Sequence, residues 1–110
     1  MLNQRRTEEL VTCILEALYH KIWKIVQYGS ASDCSETDIA VITPYKISAD
    51  EEARLSKAVA DFNSKNLESV SVIDIDYQTF SKWKDSTALY QEIDRTGILL
   101  WSGDIDTQRK

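Results

Sequence analysis

The chain has 110 residues, 43% hydrophobic and 28% charged, a balance typical of one soluble globular domain. Three glycines and one proline exclude collagen-like and low-complexity architectures, and a net charge of −5 argues against binding to a nucleic-acid backbone. The longest apolar runs, 39–42 and 98–101, are far shorter than the roughly 20 residues of a membrane helix, so no membrane association is expected.

The N-terminal sequence and the cysteines favour an intracellular domain. Two arginines near the N-terminus are followed by polar and acidic residues, where a signal peptide would be apolar. Cys13 and Cys34 make neither a disulfide framework nor a metal-binding spacing. We therefore expect one cytoplasmic domain over residues 1–110, with frayed ends at 1–6 and 104–110.

The first part of the chain predicts one helix and two strands. Apolar residues spaced three and four apart predict an amphipathic helix over 7–19. Branched and aromatic residues predict a strand over 22–28, which ends at Gly29-Ser30. A small polar loop over 31–37 then leads to a second strand over 38–43, whose apolar run predicts burial on both faces.

A capping box marks the next helix. Ser48 and Glu51 have the required spacing, and the helix that they open should end near Asn63. The branched residues that follow predict a third strand over 70–75.

The last elements complete a mixed sheet. Asp85 or Ser86 is predicted to cap a helix that Gly97 closes as a left-handed C-terminal cap, and a short strand over 98–101 follows. The order helix, strand, strand, helix, strand, helix, strand predicts a single small α/β (α+β) domain, with a mixed β-sheet packed against helices.

One segment carries candidate chemistry. The Gly29-Ser30 turn allows backbone N–H groups to approach a ligand closely, and the serine hydroxyl adds a donor suited to phosphate oxygens. Asp38, at the start of the next strand, would lie beside that turn and could hold a hard cation such as Mg²⁺. Taken alone, the same pattern is also found in inert loops.

The segment resembles the nucleotidyltransferase superfamily, in particular its small bacterial MNT-type (minimal nucleotidyltransferase, MntA-like antitoxin) domains. Their signature is a strand, Gly-Ser, a variable loop, and then Asp-hydrophobic-Asp-hydrophobic on the next strand. The resemblance spans most of the chain and includes the closing Gly97 and the apolar strand after it. It implies transfer of a nucleoside monophosphate, AMP above all, from ATP to a hydroxyl, with Mg²⁺ and release of pyrophosphate.

This sequence departs from the family pattern at two of three carboxylates. Asp38 matches the first, but Ala40 stands at the second position and Ser71 aligns with the third. The resemblance therefore implies nucleotide binding by Gly29 and Ser30, a metal at Asp38, and an incomplete catalytic centre.

Four other acids are possible substitutes. Asp74 is the candidate catalytic base beside Asp38, although strand alternation puts both Asp74 and Asp76 on the opposite face from Ser71. Asp33 and Glu36 lie in the loop before Asp38 and could turn toward the site.

Aromatic residues and the family resemblance suggest a protein partner. The resemblance implies pairing with a helical HEPN-type toxin, which such domains neutralise as antitoxins, in some systems by adding AMP to it. Aromatic side chains are enriched at interface hot spots, although for any one of these residues a place in the core or at its edge is favoured over a place in an interface. The aromatic residues in question are Tyr19, Trp23, Tyr28, Tyr77, Phe80, Trp83, Tyr90 and Trp101.

Three functions stay open: an enzyme acting on Mg-ATP, a binding module that neutralises a partner by contact, and a structural subunit unrelated to nucleotides.

Overall fold

A computed structural model describes residues 2–29 and 36–103 of the chain. Within these ranges four helices and four strands follow one another, and the mixed α+β architecture is confirmed. In chain order the elements are α1 (Gln4–Ala17), β1 (Lys24–Tyr28), β2 (Thr37–Thr43), α2 (Ala49–Asn66), β3 (Val70–Asp76), α3 (Tyr77–Trp83), α4 (Ala88–Thr96) and β4 (Ile98–Ser102).

The first two helices begin at capped residues. The Asn3 side chain accepts a hydrogen bond of 2.8 Å from the Arg6 N–H, and residues 4–6 form the first turn of α1. The capping box at Ser48 and Glu51 is confirmed, because each side chain accepts a hydrogen bond from the other residue's backbone N–H. The helix that it opens, α2, runs three residues beyond its predicted end at 63.

The four strands form one sheet in the order β3-β2-β1-β4. β1 pairs antiparallel with both β2 and β4, whereas β2 and β3 are parallel and are connected through α2. Alternate residues of the sheet contribute to two cores, and β2 is buried on both faces as predicted. One core packs against α1 and α2 and includes Leu10, Ile14, Ile25, Ile39, Val41 and Phe62; the other packs against α3 and α4 and includes Val26, Ala40, Ile42, Ile75, Phe80 and Ile93.

Helix α3 is absent from the sequence prediction. It begins immediately after β3, because the Asp76 carboxylate accepts hydrogen bonds from the backbone N–H and the hydroxyl of Thr79. With seven residues, α3 is too short to show a helical period, and its capping residue is also the last residue of a strand.

Two predicted details around α4 are wrong. The N-cap is Thr87, which makes no side-chain capping bond, rather than Asp85 or Ser86. Gly97 has a φ of −66° and a ψ of 148°, which is extended and not left-handed. A Cβ at Gly97 would lie 2.3 Å from the Val26 side chain, so close packing rather than backbone conformation requires glycine there.

No helix in the described ranges has both the length and the apolar character needed to cross a bilayer.

Candidate functional site

The structure brings Gly29 and Asp38 together at one end of the sheet. Tyr28 and Asp38 are paired across β1 and β2, and Gly29 follows with a φ of +96°. A Cβ placed on Gly29 would lie 3.0 Å from Oδ2 of Asp38. Glycine is favoured here by the left-handed conformation and by this close approach. Ser30, the other predicted nucleotide-binding residue, lies outside the described residues, as do Asp33 and the predicted frayed end at 104–110.

A second carboxylate lies next to the position where the third family acid is missing. Ser71 is paired with Asp38 across the parallel strands β2 and β3, and its side chain is exposed. The Ser71 hydroxyl donates a hydrogen bond of 3.3 Å to Oε2 of Glu36. The sequence-based suggestion that Glu36 turns toward this corner therefore has geometric support.

Ala40, at the position of the second family carboxylate, is buried in the hydrophobic core. Ala40 has no exposed surface, and it belongs to the apolar cluster formed with α3 and α4. Its cross-strand partners are Val26 on β1 and Ile73 on β3, and Val26 is likewise buried. A carboxylate at this position would have apolar neighbours in place of the water or cation that it needs.

The structure does not bring Asp74 to Asp38. Asp74 is paired with Val41 and lines a cavity of about 270 Å³ between β3 and α2, on the other face of the sheet. The predicted opposite face is confirmed, and Asp74 has no geometric role as a base beside Asp38. Asp76 is equally removed, because its carboxylate caps α3. Its hydrogen bonds from Thr79 lower the pKa of Asp76.

Tyr28 completes the corner on the α4 side. Burial and, to a smaller degree, the negative charges of Asp38 and Glu92 raise the pKa of the Tyr28 hydroxyl, which therefore stays protonated at neutral pH. Nothing in the local sequence marks Glu92 as a neighbour of this site, since its position depends on how α4 packs against β1. Across residues 2–29 and 36–103, no lysine or arginine forms an ion pair with Asp38 or Glu36.

These residues do not fit the paired Mg²⁺ ions that the resemblance implies. In the described part of the chain, no three or more His, Cys, Asp or Glu side chains form a group that could hold a metal ion. Asp38 is left with a buried alanine at the second position and a serine hydroxyl at the third. Two-metal chemistry requires several carboxylates to fix both ions, so no metal-dependent step is assigned to this site.

Comparisons with known proteins define the fold. No protein-family model matches the chain, and no curated protein matches its sequence. Among solved structures, the complex of tri-AMPylated Shewanella oneidensis HEPN toxin with MNT antitoxin matches with a TM-score of 0.63 and 18% identity, over 98% of this chain and 79% of that chain. The MntA-HepT toxin-antitoxin matches with a TM-score of 0.61 and 20% identity, over 97% and 79%. A toxin-antitoxin structure with AMP-PNP matches with a TM-score of 0.57 and 20% identity, over 93% and 78%.

The likeness spans nearly the whole chain and most of each matched chain. The protein therefore shares the fold of these toxin-antitoxin structures, which include an MNT antitoxin, and the resemblance seen in the sequence is confirmed at the level of fold.

Proposed function

We propose that this chain is an antitoxin-like binding module that neutralises a HEPN-type toxin by direct contact in the cytoplasm, without transferring a nucleotide. The observation that carries the proposal is the burial of Ala40, because the position of the second family carboxylate holds an alanine enclosed in an apolar cluster. The solved structures that share the fold support the choice of partner, because they are complexes of toxins with antitoxins.

A second candidate is transfer of AMP from ATP to a hydroxyl of the partner. The partner's hydroxyl would give its proton to a carboxylate of the site and its oxygen would bond to the α-phosphorus, while the bond from that phosphorus to the bridging oxygen of the β-phosphate breaks and pyrophosphate leaves. The observation that favours it is the Gly29–Asp38 corner, with Glu36 held beside it by Ser71. Asp38 would be the catalytic carboxylate and Gly29 and Ser30 the nucleotide-binding turn. Asp74 has no part in this candidate, because it lies on the other face of the sheet.

Co-expression with a HEPN-type toxin from the same organism tests the proposal. We expect growth arrest by the toxin to be relieved, a stable complex to form, and the mass of the toxin to stay unchanged. The Asp38→Asn variant should neutralise the toxin as well as the wild type does, because contact and not chemistry is responsible. An AMP adduct on the toxin that Asp38→Asn abolishes would overturn the proposal in favour of the second candidate.

Calorimetric titration with ATP separates nucleotide binding from neutralisation. We expect no Mg²⁺-dependent binding to the purified chain, because Asp38 and Glu36 alone do not supply the carboxylate set that fixes paired Mg²⁺ ions. Mg²⁺-dependent binding that Asp38→Asn removes would contradict this expectation and would justify an assay with labelled ATP.

A further inference from the structure

Aromatic rings and lysines meet at the end of the sheet opposite Gly29 and Asp38. Trp23 precedes β1, and its backbone N–H donates to the Ile42 carbonyl near the end of β2. The Trp23 ring meets the Tyr77 ring edge to face, with 4.5 Å between the centroids. The Lys24 ammonium lies 4.4 Å from the centroid of the Trp23 ring. Two aromatic rings that are distant in sequence, Trp23 and Tyr77, are therefore in contact, with the ammonium of Lys24 beside the first.

Helix α3 extends this surface. Tyr77, Phe80 and Trp83 recur every three residues, so each ring is a neighbour of the next on the helix surface. Phe80 in the middle is buried in the core, whereas Tyr77 and Trp83 at the two ends are 42% and 47% exposed. The Lys82 ammonium lies 5.2 Å from the centroid of the Trp83 ring. We call Trp23, Lys24, Tyr77, Lys82 and Trp83 the aromatic–basic patch.

The charge of this patch is opposite to that of the chain. The protein carries a net charge of −5, yet residues 77–84 contain two lysines and no acid. Asp76 on one side is engaged in capping α3, and Asp85 follows on the other side. Half-exposed Trp and Tyr side chains supply large contact areas, and stacked lysines present their charge beside them.

We propose that the aromatic–basic patch docks onto an acidic surface of the HEPN-type partner, with Tyr77 and Trp83 as apolar anchors and Lys24 and Lys82 facing carboxylates. This inference rests on the proposed function and adds to it the place of contact. The docking surface lies at the opposite end of the sheet from Asp38, so binding is independent of the incomplete catalytic centre. Contact with a partner would account for the exposure of two large aromatic rings on one short helix.

Binding of the HEPN-type partner to matched variants tests the patch. Trp83→Ala and Tyr77→Ala should each weaken the complex at least tenfold, the loss typical of an interface hot spot. The matched control is Leu67→Ala, because Leu67 is an apolar side chain 93% exposed at the end of α2; it should change the affinity less than twofold. Circular dichroism of each variant verifies that the fold is retained.

A charge reversal tests the electrostatic part without removing apolar surface. Lys82→Glu should weaken binding and reduce its dependence on salt, whereas Lys57→Glu on α2 should do neither. If Trp83→Ala and Lys82→Glu both bind the partner with wild-type affinity, the patch is not the docking surface, and only this inference is overturned. Absence of any complex with the wild type would overturn the proposed function as well. Binding of a single-stranded RNA oligonucleotide that Trp83→Ala abolishes would assign the patch to nucleic acid and overturn the inference.

Discussion

Replacing Ala40 with Asp restores the second family carboxylate and measures how far the core has taken over the site. Ala40 has no exposed surface and lies between Val26 and Ile73 on the neighbouring strands. Leaving a buried polar group without a partner costs about 1–3 kcal/mol, and overpacking a filled core costs about 1–3 kcal/mol more. We therefore expect Ala40→Asp to lower the free energy of unfolding by about 2–6 kcal/mol, a large share of the roughly 5–15 kcal/mol of a typical domain.

The loss should depend on pH. Burial raises the pKa of an aspartate at position 40 above its value in the unfolded chain, which is about 3.9. Below the unfolded value the carboxyl is neutral in both states, and the charge adds no penalty. As the pH rises through the interval between the two values, the unfolded state loses its proton first, and the penalty grows. Ala40→Asp should therefore be less destabilising at pH 4 than at pH 7.

Urea unfolding followed by tryptophan fluorescence provides the measurement, at both pH values. The matched control is Ser71→Asp, which adds the same side chain to the same face at an exposed position and should change stability by less than about 1 kcal/mol. A folded Ala40→Asp protein as stable as the wild type at pH 7, with Mg²⁺-dependent ATP binding, would refute the reasoning. It would mean that position 40 is open to ligands.

Three further substitutions test individual contacts by the same unfolding assay. Gly97→Ala should cost about 1–3 kcal/mol, because its Cβ would lie 2.3 Å from Val26, and a neutral result would contradict the packing role of this glycine. Gly29→Ala should cost about 1–2 kcal/mol, because it has a φ of +96° and its Cβ would approach Asp38; an unchanged midpoint would argue against this turn geometry. Asp76→Ala should cost about 1 kcal/mol at pH 7 through loss of the α3 cap. Since the folded-state pKa of Asp76 is lowered, its charge stabilises above the unfolded value and this contribution disappears as the pH falls through the folded value; a difference independent of pH would contradict the cap.

Local signals were enough to predict most of the fold. The capping box at Ser48 and Glu51 defines the start of α2, and the apolar run 39–42 identifies the strand buried on both faces. Helix α3 was not predicted because its cap is formed by the last residue of a strand. The role of Gly97 was not predicted because glycine is required there by a close contact with β1 and not by a backbone angle.

The candidate site was predictable only in part. Gly29 and Asp38 are close because β1 and β2 are consecutive antiparallel strands, and the chain order alone indicates this. The hydrogen bond between Glu36 and Ser71 depends on the parallel register of β2 and β3, which no local pattern specifies. The burial of Ala40 depends on the docking of α3 and α4 onto the sheet, and α3 was not foreseen.

The two missing carboxylates therefore differ in kind. Ser71 is exposed, and an acid there requires no change in packing. Ala40 is part of a core that also holds Phe80 of α3, and the same helix carries two of the three rings of the aromatic–basic patch, Tyr77 and Trp83. A carboxylate at position 40 would press against the layer that supports Tyr77 and Trp83. A complete metal site would thus disturb the packing beneath the proposed docking surface, so the proposed contact-based function would gain nothing from a second acid at position 40.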